Sequence, residues 1–215
     1  KISPATGTAF ALGDSGDTFT VPSGATIVNS GTATGFGGGD LIKVHSIAAS
    51  GDADVEFDST YITSTYDRYT VECYNIQSSD DAVHLDLYFS TNNGSDYNAG
   101  TVTRINIGNT SANGNDTIKS RNTTSSDGSG LIIDVNTFGT GTGEVGAFTL
   151  ELVNFSDTGH YKMVYFNGAN YGSDGVGGLL LGCGVMATTS AFNNIKFEMR
   201  SGNITGTFTL YGITK

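Results

Sequence analysis

The sequence predicts an all-β protein, an antiparallel, jelly-roll-like β-sandwich with an extended N-terminal arm. Three observations predict this fold class. The 215 residues include 31 glycines, and turn residues recur between short alternating apolar runs, as in sandwiches and barrels. No window keeps the i, i+3, i+4, i+7 apolar spacing of an amphipathic helix over three turns. The 12 Phe and 10 Tyr residues supply enough large apolar surface for a core.

The first 39 residues differ from the rest of the chain, and we interpret residues 1–39 as a Gly/Thr-rich docking arm. Pro22-Ser23-Gly24 predicts a turn, and the three glycines at 37–39 form a natural hinge. Apolar side chains are scattered among Thr, Ser and Gly, so the arm needs a neighbouring chain to cover them. These candidate docking residues are Phe10, Leu12, Phe19, Val21, Ile27 and Val28.

Residues 40–215 are predicted to form the sandwich body. Short alternating runs such as HLDLYF (84–89) and IKFEMR (195–200) place apolar residues on one face and polar residues on the other. About nine such strands are indicated, which is enough for two sheets. The inward faces predict a core that contains Val71, Leu85, Leu87, Phe89, Phe148, Leu150, Leu152, Ile195, Phe197, Phe208 and Leu210. Fully burying one such residue stabilises the fold by about 1.5–3 kcal/mol.

Three segments between or within the strands carry more specific expectations. Asn93-Gly94 in STNNGSDYNAG (90–100) is a strong hairpin signal. Residues 108–130 are almost devoid of apolar side chains and predict a long exposed loop or an excursion at a sheet edge. The run GVGGLLLGCGVM (175–186) is interpreted as a buried central strand, with a strand along the threefold axis of a trimer as the alternative.

Charge and cysteine content exclude several classes of function. Ten Lys and Arg against 21 Asp and Glu give a formal net charge of −11, which disfavours nucleic acid and anionic membranes as partners. No apolar run reaches the roughly 20 residues of a membrane span. Cys73 and Cys183 lie in apolar runs and are interpreted as buried thiols, a single disulfide being the alternative.

Candidate chemistry is sparse. The acidic residues Asp52, Asp54, Glu56 and Asp58 alternate, so an extended segment would place all four on one face. Calcium requires several oxygen ligands, but the run lacks the turn spacing of a calcium loop. We therefore interpret it as a solvated edge strand and expect no metal or cofactor, with a calcium site as the alternative.

Tyrosines are the candidates for ligand contact. A flat ring with a polar tip can stack on a sugar or pack between subunits, and Tyr88, Tyr97 and Tyr171 are the residues we single out. No nucleophile elbow or phosphate-binding loop is present in the sequence. We therefore expect a protein without enzymatic activity.

Three segments resemble structural proteins of marine bacteriophage virions. The arm segment GDSGDTFTVPSGATIVNSGTATGFG (13–37) resembles a repeat-like motif of tail-fibre and other virion proteins. MRSGNITGTFTLYGI (199–213) resembles the closing strand pair of their β-sandwich domains, and LDLYFSTNNGSDYNAG (85–100) fits the same domains. Together these segments cover about a quarter of the 215 residues, and their motifs are dominated by Gly, Ser and Thr.

The resemblance implies a multi-copy virion protein, expected to be a homotrimer, whose N-terminal arm docks to other capsid or tail proteins. It leaves two positions open, a tail fibre that contacts host surface glycans or a decoration protein on the capsid. Two alternatives from other classes are a carbohydrate-binding module and an extracellular filament subunit that assembles by strand addition.

Overall fold

Twelve strands and no helix are present in the part of the chain that the structure describes. The computed structural model describes residues 16, 18, 20–26, 28, 41–97, 102–112, 115–125, 131–133 and 137–213. The strands are β1 (Leu41–Asp52), β2 (Asp54–Phe57), β3 (Arg68–Ser78), β4 (Leu85–Ser90), β5 (Val102–Ala112), β6 (Asn115–Ser125), β7 (Leu131–Ile132), β8 (Gly146–Val153), β9 (Lys162–Tyr171), β10 (Gly177–Met186), β11 (Asn194–Met199) and β12 (Ile204–Ile213). This confirms the predicted all-β fold.

The strands form two antiparallel sheets with jelly-roll connectivity. The larger sheet has the order β1-β12-β3-β8-β9-β10-β5-β6, and the smaller sheet has the order β2-β11-β4-β7. The pairs β1·β12, β2·β11, β3·β8 and β4·β7 are nested in the sequence. Such nesting is what results when one long hairpin folds over into two sheets, which is the plan of a jelly roll. Two inserted hairpins, β5–β6 and β9–β10, widen the larger sheet.

The core lies between the inward faces of the two sheets. All eleven residues predicted for the core are buried, which confirms the alternation read from the sequence. Aromatic rings join the sheets directly: the centroids of Phe197 in β11 and Phe208 in β12 lie 4.9 Å apart. Phe89, Phe155 and Phe192 form a second cluster, with centroid distances of 5.1–5.6 Å.

For the polar segment 108–130, the sequence left two alternatives open, a long loop or an excursion at a sheet edge. Within 108–130, residues 108–112 and 115–125 belong to β5 and β6, so the edge excursion is confirmed and the long loop is wrong. β6 is one of the two edge strands of the larger sheet, with β1 at the other edge. An edge strand pairs with one neighbour only, so a sequence poor in apolar residues can form it.

The chain divides into two units, Lys1–Gly37 and Gly38–Lys215. In the first unit, the turn predicted at Pro22-Ser23-Gly24 is confirmed. The Ala25 N–H donates to the Pro22 carbonyl at 3.1 Å, and Gly24 adopts φ 86°, which favours glycine. Most of the predicted arm lies outside the described residues.

A buried lysine fixes the start of β9. The Lys162 side chain is fully buried, and its Nζ donates to the carbonyls of Asp157, His160 and Thr189 at 2.5, 2.7 and 3.2 Å. Burial lowers the pKa of Lys162, while the Asp157 carboxylate opposes that shift. Three carbonyl acceptors satisfy all three ammonium protons, so the lysine ties the turn before β9 to the segment after β10.

Candidate functional site

The outer faces of the two sheets carry the side chains that are available to other molecules. Of the residues predicted for docking, Val21 is half-buried and Val28 is 81% exposed. The other four, Phe10, Leu12, Phe19 and Ile27, lie outside the described residues. Docking through the arm therefore stays a prediction.

On the four-stranded sheet, a lysine is enclosed by polar and aromatic partners. Lys196 of β11 is the register partner of both Glu56 in β2 and Tyr88 in β4. Its Nζ lies 4.9 Å from the ring centroid of Tyr88 and 4.6 Å from that of Tyr97. It also donates to Glu198 Oε2 at 2.7 Å. Two cation–π contacts and an ion pair thus hold this half-buried ammonium group.

Tyr97 closes the same cluster from the loop after β4. Its hydroxyl donates to Glu56 Oε1 at 2.7 Å and lies 3.2 Å from Asn194 Oδ1. Asn194 is fully buried and donates from Nδ2 to the same Glu56 oxygen. Burial and the Glu56 carboxylate raise the pKa of the Tyr97 hydroxyl. Tyr88 and Tyr97 meet edge to face at 5.9 Å, so the structure brings these two candidates together through contacts within the chain.

The loop that carries Tyr97 is pinned to the four-stranded sheet. Asn93 and Gly94 adopt φ of 58° and 82°, so the predicted turn is present. The Asn93 N–H donates to Asn193 Oδ1 at 2.9 Å, and Asn93 Oδ1 accepts the Ser59 N–H at 2.9 Å. The predicted hairpin is wrong, because β4 belongs to the smaller sheet and β5 to the larger. These contacts direct the chain from one sheet to the other.

The alternating carboxylates do not form a metal site. Asp54 and Glu56 lie exposed on β2. Asp52 accepts the backbone N–H two residues before it at 3.2 Å, and Asp58 accepts the N–H two residues after it at 2.8 Å. Among the described residues, no group of three or more His, Cys, Asp or Glu side chains is placed to hold a metal ion. The two outer members of the run, Asp52 at the end of β1 and Asp58 after β2, are thus each engaged by a backbone N–H of their own segment.

Asp54 sits in an unfavourable environment for a charged carboxylate. Burial raises its pKa, and the carboxylates of Glu56 and Glu198 act in the same direction, while Lys196 opposes them. The cluster on this face therefore holds more negative charge than its single lysine neutralises.

The larger sheet presents a different outer face, on which β10 exposes a row of apolar side chains. Leu179, Leu181 and Val185 are 58%, 53% and 40% exposed. The opposite face of the same strand is buried and contains Leu180 and Met186 together with glycines. The strand thus turns its glycine-containing face to the core and its larger apolar face to solvent. We name Leu179, Leu181 and Val185 the β10 row.

The β10 row corrects the interpretation of this segment. β10 is an interior strand of the sheet, between β9 and β5, but one of its faces is not buried. Cys183 lies on the same face of β10 as the row and is half-buried, whereas Cys73 is buried in the core. Both thiols are free. The interpretation as two free thiols is thus confirmed. The expected burial is found for Cys73, whereas Cys183 is only half-buried.

Tyr171 lies far from the other two candidate tyrosines in the fold. It ends β9 on the outer face of the larger sheet and is 48% exposed. It lines a shallow, open depression of about 290 Å³ with Asn75, Ala147 and Ala169. A second depression of about 280 Å³ adjoins it across Ala147 and is lined by Tyr74. The three tyrosines therefore do not form one site.

The β10 row and the depression beside Tyr171 were not predicted from the sequence. A signal for the row was present, because residues 177–186 place Leu179, Leu181 and Val185 at alternate positions. The tyrosine Tyr74 was likewise readable as an outward residue of β3, since Val71 and Cys73 face inward. The depression had no such signal, because it depends on the pairing of three strands.

Comparison with known proteins gave no relative: no protein-family model, no curated protein and no solved structure matches the chain. The described residues also contain no helix long and apolar enough to cross a membrane.

Proposed function

We propose that this protein is a non-enzymatic structural subunit of a bacteriophage virion, present in multiple copies that associate through the β10 row. The main support for this proposal is the exposed β10 row, Leu179, Leu181 and Val185, on a strand whose other face is buried. Contiguous apolar surface of this kind is typical of protein interaction sites. The resemblance of the two chain ends to virion proteins supports the choice of particle.

Neighbouring features agree with self-association. Tyr165 of β9 is 47% exposed and is the register partner of Cys183, so the row continues onto the next strand with an aromatic side chain. Tyr is enriched at the cores of protein interfaces, where charged residues are depleted. A net charge of −11 keeps copies apart wherever acidic faces meet, which favours contact through an uncharged strip such as this one.

The arm supports a proposal about how the subunit is attached to the particle. We propose that residues 1–39 anchor the subunit to another capsid or tail protein, as a fibre or a decoration subunit. Removal of these residues should leave a folded body that purified particles no longer contain, as measured by mass spectrometry of the particles. Normal incorporation of the shortened chain would refute the anchoring role.

Self-association is tested by mass in solution. Native mass spectrometry of the full chain should give an oligomer, expected to be a trimer, and Leu181→Glu should convert it to a monomer because a charge cannot be buried unpaired. Leu41→Glu is the matched control, since Leu41 is 50% exposed at the far edge of the same sheet. Circular dichroism confirms that both variants fold. A monomeric wild-type chain, or an equal effect of both variants, would contradict the proposal.

A further inference from the structure

The outer face of the larger sheet contains a groove that crosses three strands. The depression beside Tyr171 and the one beside Tyr74 share Ala147, and their volumes are about 290 and 280 Å³. Together they run from β3 over β8 to β9. We name this feature the β8 groove.

Small residues create the β8 groove. Ala147 is the register partner of Ala169, and Phe148 is that of Gly168. A Cβ at position 168 would lie 2.3 Å from the Ala147 carbonyl oxygen, so glycine is required for the close approach of β8 and β9. On the other side, β3 has a bulge between Cys73 and Ile76, which lifts the strand out of regular pairing.

Two tyrosines flank this floor. Tyr74 is 45% exposed and Tyr171 is 48% exposed, and each lines one of the two depressions. Both rings therefore combine an accessible aromatic surface with a hydroxyl that can donate and accept a hydrogen bond.

Polar side chains accompany the rings. Glu72 and Asn167 line the depression beside Tyr74, and Asn75 lines the one beside Tyr171. All three are exposed. A carboxylate accepts hydrogen bonds, and an amide both donates and accepts them. The groove thus offers aromatic surface together with directional polar groups, over an open floor.

This combination matches the chemistry of a sugar chain. Pyranose rings have C–H faces, which stack on aromatic rings, and hydroxyl edges, which exchange hydrogen bonds with amides and carboxylates. The groove is open, so it suits a chain that passes through it. Glu72 in the groove and the net charge of −11 repel acidic sugars. We propose that the β8 groove binds a neutral oligosaccharide, with Tyr74 and Tyr171 as stacking residues.

The inference does not rest on the proposed assembly. The groove and the β10 row adjoin, because Asn167 and Ala169 of the groove are the register partners of Leu181 and Leu179. Val185 of the row pairs instead with Met163, outside the groove, so Val185→Glu allows the groove to be studied with the row disrupted.

The experiment is a glycan array of neutral and acidic oligosaccharides, probed with the full chain and followed by calorimetric titration of the retained glycans. We expect neutral members to be retained. Tyr171→Ala and Tyr74→Ala should each weaken binding about tenfold, which corresponds to the loss of about 1.4 kcal/mol. Ala147→Gln, which fills the groove and leaves both rings in place, should weaken binding as well. Tyr161→Ala is the control, because Tyr161 is 54% exposed and lies outside the groove.

The outcomes separate the proposals. The assignment would be overturned if the array retained acidic glycans alone. It would also be overturned if no glycan bound the wild-type chain more strongly than the Tyr74→Ala/Tyr171→Ala double variant. An equal loss with Tyr161→Ala would do the same. Titration of the Val185→Glu variant should return the affinity per site of the parent chain. Binding by a wild-type chain that proves monomeric would refute the assembly and leave the groove supported.

Discussion

The outer faces of the two sheets both carry tyrosines, but they use them differently. On the four-stranded sheet, Tyr88 and Tyr97 pack around Lys196, and the Tyr97 hydroxyl bonds to Glu56. On the eight-stranded sheet, Tyr74 and Tyr171 remain nearly half exposed. The number of tyrosines on a face therefore does not indicate whether that face binds a ligand. Binding capacity depends on whether ring and hydroxyl are already engaged within the chain.

Substitutions on the two faces of β10 should differ most in their effect on the free energy of unfolding. Leu180→Ala should lower the free energy of unfolding by about 2–5 kcal/mol, since Leu180 is 2% exposed and its loss leaves a cavity. Leu179→Ala, at a 58% exposed position, should change it by less than about 0.5 kcal/mol in the monomeric Leu181→Glu background. Urea unfolding measures both. Similar losses at the two positions would mean that the chain itself covers the β10 row.

The next effect concerns the amides on the two outer faces. Asn194→Ala should destabilise the fold by about 2 kcal/mol, because the buried side chain bonds Glu56 and its removal leaves that carboxylate with one donor, Tyr97, in place of two. Asn167→Ala, at an exposed position of β9, should stay within about 0.5 kcal/mol. Urea unfolding of the pair distinguishes an internally bonded face from an open one. Equal effects would contradict the comparison.

A smaller effect is expected from single hydroxyl groups. Tyr97→Phe removes one of the two side-chain donors to Glu56 and should lower the free energy of unfolding by about 1 kcal/mol. Tyr171→Phe on the other sheet should leave the midpoint of urea unfolding unchanged. A loss at Tyr171 as large as that at Tyr97 would show that its hydroxyl already serves the fold, and would weaken the case for the groove.

The smallest effect is a dependence on pH. The pKa of Asp54 is raised in the folded state from its ordinary value of 3.8, mainly by burial. Its contribution to stability is therefore fully present below pH 3.8 and is lost as pH rises through the folded pKa. Asp54→Asn should slightly stabilise the protein at neutral pH and give no gain below pH 3.8, as measured by thermal unfolding. A destabilised variant at pH 7 would be the contrary result.

Much of the fold could be predicted from the sequence, because alternation is a local signal. Val71, Leu150 and Phe208 are buried as predicted, since each belongs to a run in which apolar and polar residues alternate clearly. In β10 both faces are apolar, and the sequence cannot say which face meets the core. The Asn93-Gly94 signal was similarly local: it predicted the turn, whereas the partner of the next strand depends on distant residues.

The contacts of the four-stranded face could not be predicted for the same reason. Glu56 and Asn194 are 138 positions apart in the chain, and Tyr97 joins them from a third segment. No spacing rule links these residues, because sheet pairing sets their proximity. Composition had suggested Tyr88 and Tyr97 as ligand contacts, but it could not reveal that Lys196 lies over their rings.

The nested pairing has a consequence for biosynthesis. Among the described strands, β12 lies between β1 and β3 in the larger sheet, so β1 lacks its described sheet partner until residues 204–213 have been synthesised. Pairings between distant segments also form slowly. During translation the nascent chain therefore exposes the edges of β1 and β3 until β12 emerges, and we expect it to depend on chaperone protection during that interval.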